Sequence, residues 1–475
     1  MGTIIGVRRR PSTLIPGLTH RKSIHLSEKS VRSSENSPRA VVIGLGYVGL
    51  TLSVALARRG IQVYGVEKRA DVVEATNAGR PHFSEIGLDS ALTSVVESGR
   101  LIASQTTEDI PPAEFYIITV GTPLKAGTHS PRLDMIEEAS RQVAEHMPDG
   151  AAVILRSTVR IGTTRAIVKP VLDRGGKRYH LSMCPERTLE GDALRELATL
   201  PQIVGGISET ASDLAAALFS RLTHTIVRVA DPETAEMIKL VDNTSRDVRF
   251  AFANEVARAC DAIGINANDV VRFGKLGYSR TDVALPGLVG GPCLEKDPHI
   301  LLASVAPHDV TLEITQASRL VNERQPVETV DAVLAKLKQR RDGPFKVVVG
   351  GLAFKGKPET DDLRGSMSLH VVERLYASND CAEIRAYDSV VSRDQLEALP
   401  YGLKVHGDFY EACDGADLVI IANNHPVFAT IEIDRIAARL AEGGFIYDYW
   451  NNLAQHPAEI LDGRYFTVGN LVGKY

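Results

Sequence analysis

The chain has 475 residues, too many for one hydrophobic core, so two or three domains are expected. With 44% hydrophobic and 24% charged residues it is ordinary globular material, and a net charge of −5 gives no electrostatic case for nucleic acid. No apolar run is long enough to span a membrane, and the five scattered cysteines (Cys184, Cys260, Cys293, Cys381 and Cys413) show neither a CxxC pair nor a metal-ligand spacing, which points to a reducing cytoplasm and no metal.

Residues 1–38 carry Arg8-Arg9-Arg10, scattered Ser and Pro and only two acids, and read as a disordered basic tail, although an organelle transit peptide has a similar composition. Order is expected from Pro38. The run RAVVIGLGYVGL from Arg39 is a short apolar strand, then Gly44-x-Gly46-x-x-Gly49, then a helical pattern. The first glycine makes a tight turn, the second admits a pyrophosphate to the backbone, and the third lets helix pack on strand. A second strand, Gln62 to Val66, ends in Glu67, a carboxylate suited to both ribose hydroxyls and hostile to a 2′-phosphate. That favours NAD over NADP, with Lys68 and Arg69 positioned to soften the preference.

The α/β rhythm continues. Strand Glu114 to Val120 ends at Gly121-Thr122-Pro123, where Thr122 is either a cofactor contact or a turn residue. A helix is expected from Leu133 to His146 and a strand from Ala151 to Arg156, followed by Ser157-Thr158-Val159. A short strand, Leu181 to Met183, leads to Cys184-Pro185-Glu186-Arg187-Thr188-Leu189-Glu190-Gly191. That stretch is either a site or a solvated loop.

Pro232 to Ile263 is the longest helical pattern, with Asp231 as cap, Pro232 in the first turn and Gly264 as its stop. Lys239 and Asn243 share a face of it and form a ready oxyanion clamp, or else a plain surface pair. The length and apolar content of this helix suggest packing on a second subunit. The stretch LPGLVGGPCLEKDPHI follows, in which Gly290 and Gly291 let backbone approach a ligand and Cys293 stands beside Lys296 and Asp297. Such a thiol is either a nucleophile or a buried structural cysteine. A helix is expected over Val310 to Arg324 and a boundary at Arg341-Asp342-Gly343-Pro344. A second α/β rhythm then begins with strands Lys346 to Gly350, Glu383 to Tyr387, Asp417 to Ala422 and Phe445 to Asp448. The turn bearing Lys355, near Arg364, suits a phosphate-bearing ligand.

From Arg39 to Tyr475 the chain resembles the UDP-sugar 6-dehydrogenases, the UDP-glucose and UDP-N-acetylhexosamine dehydrogenase family. The resemblance rests on GLGYVGL (Gly44–Leu50), GTP (Gly121–Pro123), STVRIGTT (Ser157–Thr164), CPERTLEG (Cys184–Gly191), KLVDN (Lys239–Asn243), GGPCLEKD (Gly290–Asp297) and GLAFKGKPETDDLR (Gly351–Arg364). It implies an α/β fold of two Rossmann-like doubly wound domains joined by a long central helix and a small helical domain. The divisions expected are a tail to 38, an NAD-binding domain over 39–230, a central dimerisation domain over 231–342 and a UDP-sugar domain over 343–475.

The implied activity is a four-electron, NAD-dependent oxidation of C6 of a UDP-sugar to the uronic acid. By this likeness Cys293 forms a thiohemiacetal and then a thioester, Lys239 and Asn243 hold the oxyanion, Thr158 and Asp297 activate water, and Glu186 and Glu190 complete an acid–base network. Gly44, Gly46, Tyr47, Val48, Gly49, Glu67, Thr122, Lys296 and Arg364 would contact NAD, and Gly290, Gly291 and Lys355 the UDP-sugar. The GGPC and KD elements resemble the glucose branch, whereas CPERTLEG resembles the N-acetylhexosamine branch; the reading favours UDP-GlcNAc or UDP-ManNAc over UDP-glucose. A two-electron 3-hydroxyacid dehydrogenase would need neither Cys293 nor residues 345–475, and a non-catalytic NAD-binding scaffold would not be expected to keep Lys239, Asn243, Cys293 and Asp297 together. A homodimer or higher oligomer is expected.

Overall fold

The computed structural model describes residues 37–125, 128–453 and 463–471. The expected tail therefore lies outside the described residues but for its last two. Eight strands form the first sheet: β1 (Arg39–Ile43), β2 (Gln62–Val66), β3 (Leu101–Ser104), β4 (Phe115–Ile118), β5 (Ala151–Leu155), β6 (Tyr179–Met183), β7 (Gln202–Gly206) and β8 (Ile226–Arg228). Their order is β3-β2-β1-β4-β5-β6-β7-β8, parallel except where β7 runs against β6. β5, with five buried residues, is the continuous apolar run that a parallel strand covered on both faces requires. Buried side chains form a core on each side of the sheet.

Six parallel strands form the second sheet: β9 (Phe345–Gly350), β10 (Cys381–Tyr387), β11 (Lys404–Val405), β12 (Leu418–Ile421), β13 (Phe445–Asp448) and β14 (Tyr465–Thr467), in the order β11-β10-β9-β12-β13-β14. It too lies between two cores. Both sheets are doubly wound. Their order reverses between β1 and β4 in one and between β9 and β12 in the other, so each opens a crevice at those strands' carboxyl ends.

The long helix occupies Pro232–Ile263 as the sequence predicts. The Asp231 side chain accepts the Thr234 N–H at 2.7 Å, Pro232 opens the first turn, and Gly264 closes the last one at φ 73°. The next long helix departs from expectation, running Glu313–Lys338 through Pro326 instead of ending near Arg324. Proline removes one N–H from a helix. Here the turns beyond it carry Val330, Val333, Leu334 and Leu337 into the core of the second sheet, and that burial outweighs the local defect. Strands β8, β11 and β14, of three, two and three residues, are too short to show a period in the sequence, and β3 and β7 are not anticipated either. No described helix is long and apolar enough to cross a membrane.

Candidate active site

The glycine turn after β1 shows three different requirements. Gly44 has φ +94°, a conformation that side chains rarely adopt. A Cβ on Gly49 would lie 1.8 Å from the Gly44 carbonyl oxygen, so only glycine lets the helix Tyr47–Arg58 pack this close. A Cβ on Gly46 would meet nothing within 4 Å. That open space lies at the helix N-terminus, where free N–H groups favour a phosphate. Glu67, at the end of β2, accepts the N–H of Leu45 at 3.0 Å and of Arg69 at 3.1 Å, which fixes its carboxylate beside the turn. Arg69 pairs with Asp71 at 2.5 Å instead of crossing to Glu67. The turn, the open space and the fixed acid together fit the diphosphate and a ribose diol of NAD.

A cleft of about 990 Å³ runs from this turn to the second sheet, with Gly46, Thr158, Lys239, Cys293, Lys355 and Trp450 among the residues that line it. Cys293 sits in the four-residue helix Gly291–Leu294 with its side chain exposed. The double glycine before it is a close approach between segments. The Gly291 N–H donates to the Gly365 carbonyl at 2.7 Å, and a Cβ on Gly290 would lie 2.4 Å from that same oxygen. Gly291 itself has φ +86°, and a Cβ there would strike the Phe354 ring. The cationic heads of Lys296, Lys355 and Arg364 interact electrostatically with the Cys293 sulfur.

Four residues after the thiol stands a wholly buried carboxylate, Asp297. Its two oxygens take hydrogen bonds from Asn243 Nδ2 at 2.6 Å and Lys296 Nζ at 2.7 Å. Asn243 thus spends one N–H on orienting Asp297 and keeps the other for a ligand. Lys239 lies on the same helix face and is buried, and among the described residues its ammonium has no hydrogen-bond partner. A buried ammonium that lines the cleft, with the Glu186 carboxylate as a counter-charge, is suited to a developing oxyanion.

The two glutamates of the Cys184–Gly191 stretch differ. Glu186 is buried against Arg156, whose Nε donates at 3.0 Å and Nη2 at 2.5 Å to one carboxylate oxygen, while the N–H groups of Arg187 and Thr188 serve the other at 2.7 and 2.8 Å. Burial works to raise its pKa, but Arg156 and these hydrogen bonds prevail, and the carboxyl sits below the ordinary range. Both oxygens accept hydrogen bonds within the fold. Glu186 thus stands as a buried carboxylate in electrostatic contact with Lys239. Glu190 is the opposite case: burial, then Asp362 beside it, push its carboxyl up to about 8. Arg364 pairs with Asp362 at 2.5 Å and approaches Glu190 at 3.8 Å, and Lys355 donates to the Glu190 carbonyl.

Thr122 is buried and donates its hydroxyl to the Thr158 carbonyl at 2.5 Å, joining the strand ends of β4 and β5. Tyr47 donates to Glu85, which also accepts the N–H groups of Gly191 and Ala193 at 2.7 Å each. Val48 lines the cleft beside it. Sequence reasoning missed Arg156, Glu85 and Asp362. Arg156 carried a signal, a guanidinium ending an apolar strand beside Ser157, whereas Glu85 lies in a connection with no periodicity. No group of three or more described His, Cys, Asp or Glu residues is placed to hold a metal ion.

Comparison with known proteins gives three family matches in chain order. They are the NAD binding domain of the UDP-glucose/GDP-mannose dehydrogenase family at residues 38–223, its central domain at 233–324 and its UDP binding domain at 348–455. The chain is 34% identical over 405 residues to a UDP-N-acetyl-D-mannosamine dehydrogenase of Pyrococcus horikoshii, covering 84% of this chain and 92% of the relative. It is 33% identical over 417 residues to the enzyme of that name from Campylobacter jejuni, covering 84% and 98%. Among solved structures, the UDP-D-ManNAc dehydrogenase of Pyrococcus horikoshii superposes with TM-score 0.80 at 32% identity, over 91% of this chain and 100% of that one. A UDP-glucose dehydrogenase from Pyrobaculum islandicum gives 0.81 at 26%, over 93% and 99%.

Proposed function

Because the chain belongs to the UDP-glucose/GDP-mannose dehydrogenase family and is an NAD-dependent UDP-sugar dehydrogenase, we propose that it oxidises C6 of a UDP-N-acetylhexosamine, UDP-ManNAc first among them, from alcohol to carboxylate through a thioester on Cys293. The observation that carries this reading is the exposed thiol on one wall of the NAD cleft, with Lys296, Lys355 and Arg364 in electrostatic reach and the buried Lys239 lining the same cleft. The mannosamine preference draws on the relatives at 33–34% identity.

NAD, when bound, accepts the hydride lost from C6 at each of the two oxidation stages. The chain's own residues do the rest. Lys239 and the free N–H of Asn243 hold the C6 oxygen while the Cys293 thiolate adds to the aldehyde carbon, giving a thiohemiacetal. Loss of the second hydride leaves the thioester. Water held by Thr158 and Asp297 then attacks the acyl carbon, the C–S bond breaks, the thiolate leaves, and the sugar departs as a uronate. Oxyanion donors of this kind are worth roughly 3 kcal/mol each. Glu186 anchors the charge near Lys239, and Glu190 with Asp362 holds a proton between the two nucleotide-binding units. Gly44, Gly46, Tyr47, Val48, Gly49, Glu67, Thr122, Lys296 and Arg364 bind NAD; Gly290, Gly291, Lys355 and the wall at Trp450 bind the UDP-sugar. Glu67 gives NAD preference over NADP.

The domain divisions at 39–230, 231–342 and 343–475 and a cytoplasmic setting that keeps Cys293 reduced belong to the same proposal. So does a homodimer or higher oligomer through the long helix. Met237, Val241 and Phe252 are exposed on a face about 60° wide or less, turned away from the face of Lys239 and Asn243.

The test is the NADH formed per sugar consumed, with UDP-ManNAc, UDP-GlcNAc and UDP-glucose offered separately in excess NAD. Two NADH from an N-acetylhexosamine is the expected result. Two from UDP-glucose alone moves the substrate to the reading that the Pyrobaculum islandicum likeness favours. One NADH from every sugar removes the thioester.

A further inference from the structure

Glu236 is a buried carboxylate that none of the roles above uses. It is 1% exposed and stands one turn before Lys239, on the helix face that carries Lys239 and Asn243. Its Oε2 accepts the Gly162 N–H at 2.5 Å. Its Oε1 accepts both the N–H of Thr164 at 2.8 Å and its hydroxyl at 2.6 Å. Gly162 and Thr164 close the loop that leaves β5 and carries Thr158. That loop has two other ties. The Ile161 N–H donates at 3.1 Å to Ser304, on the helix Asp297–Val305, and the Thr158 carbonyl accepts the Thr122 hydroxyl. One carboxylate thus locks the loop of Thr158 to the helix of Lys239 and Asn243, and the loop is pinned in turn to the helix that begins at Asp297.

The chemistry of this tie is specific. A loop held only by apolar contacts slides by fractions of an ångström at little cost, whereas a buried carboxylate with three short hydrogen bonds has one good position. Taking that charge out of water is unfavourable: burial lifts its carboxyl to about 7 even against the bonds it accepts, with Glu233 adding to the rise. Glu233 itself is paired with Arg165 at 2.8 Å. Capping the segment Thr164–Val168 alone would need only a neutral side chain such as Ser or Asn.

We propose that Glu236 is a positioning residue for thioester hydrolysis, holding Thr158 in register with Lys239 and Asn243 so that water is delivered to the acyl carbon. This rests on the reading of Cys293 as the thioester-forming nucleophile. The first two stages need the thiol and the oxyanion donors, none of which hangs on the Thr158 loop. The last stage needs Thr158.

The experiment compares the full chain with Glu236→Gln and Thr164→Val in stopped-flow NADH formation, using whichever UDP-sugar the parent turns over. Glutamine still accepts from Thr164 but turns an NH2 group on the Gly162 N–H, so two donors oppose. The expected result for Glu236→Gln is a fast phase of two NADH per active site near the parent rate. Steady turnover then falls by up to roughly 100-fold, with KM for NAD and sugar within about threefold of the parent by the uniform-binding criterion. Thr164→Val deletes one of three bonds without touching the backbone and is expected to show the same burst with a smaller fall. Unchanged turnover, or a fall in which the burst slows equally, overturns the proposal in either variant, so an insoluble Glu236→Gln leaves Thr164→Val to decide. A parent that yields fewer than two NADH per sugar takes the thioester reading down first, and this proposal with it.

Discussion

At the scale of single residues, charge and burial sort the carboxylates of the cleft into different tasks. Glu186 is held ionised by Arg156, and Glu190 is held protonated by burial and by Asp362. The second case has a measurable consequence. An unfolded glutamate titrates near ~4.3, and Glu190 in the fold near about 8. The folded chain binds the proton more tightly, so its stability falls as pH rises between those two values. Glu190→Gln has no proton to lose. The parent-minus-variant difference in Tm is expected to shift against the parent between about pH 5 and about pH 8.5; a difference that stays constant across that range removes the shared proton. Glu186 and Arg156 illustrate what a sequence conceals. Two carboxylates four apart look alike on paper, and only the arginine that strand β5 delivers beneath one of them separates their roles.

At the scale of elements, the glycine turn separates folding from binding. A Cβ at position 49 meets the Gly44 carbonyl oxygen at 1.8 Å, while one at position 46 meets open space. Gly49→Ala is expected to destabilise the chain by ~1–3 kcal/mol, seen as a lower denaturation midpoint in urea. Gly46→Ala is expected to unfold like the parent and bind NAD about tenfold more weakly, a loss of about 1.4 kcal/mol, measured by calorimetry. Equal midpoints for the two variants would mean that the close packing at Gly49 is not needed. Strongly patterned elements were legible: β1, β2, the glycine turn, and the long helix with both its caps. The helix through Pro326 was not, because a proline is a local signal and the burial of Val330 and Leu337 is a tertiary one. Short strands such as β11, with two residues, carry too few side chains to show a period.

At the scale of the whole molecule, the apolar face of the long helix has a neighbour of like character. Leu320 and Val327, on the helix Glu313–Lys338 that packs against it, are also exposed. These side chains are the ones that the proposed oligomer would cover. The expected mass by light scattering at micromolar concentration is at least twice that of the chain, and Phe252→Asp is expected to lower it; a parent that scatters as a monomer ends the oligomer reading.

The seam between the two sheets matters differently when the chain is considered as it is made. The Ser84 N–H is held by Asp361, 277 residues further on, and a Cβ on Gly191 would strike Pro358. Synthesis runs from the first residue, and domains fold as units in that order. The NAD crevice can therefore assemble, and Cys293 emerge beside it, before the strands that complete the cleft exist. During that interval Lys355 and Arg364 have yet to be made, so the positive charges that the finished fold sets around Cys293 arrive after the nucleophile itself.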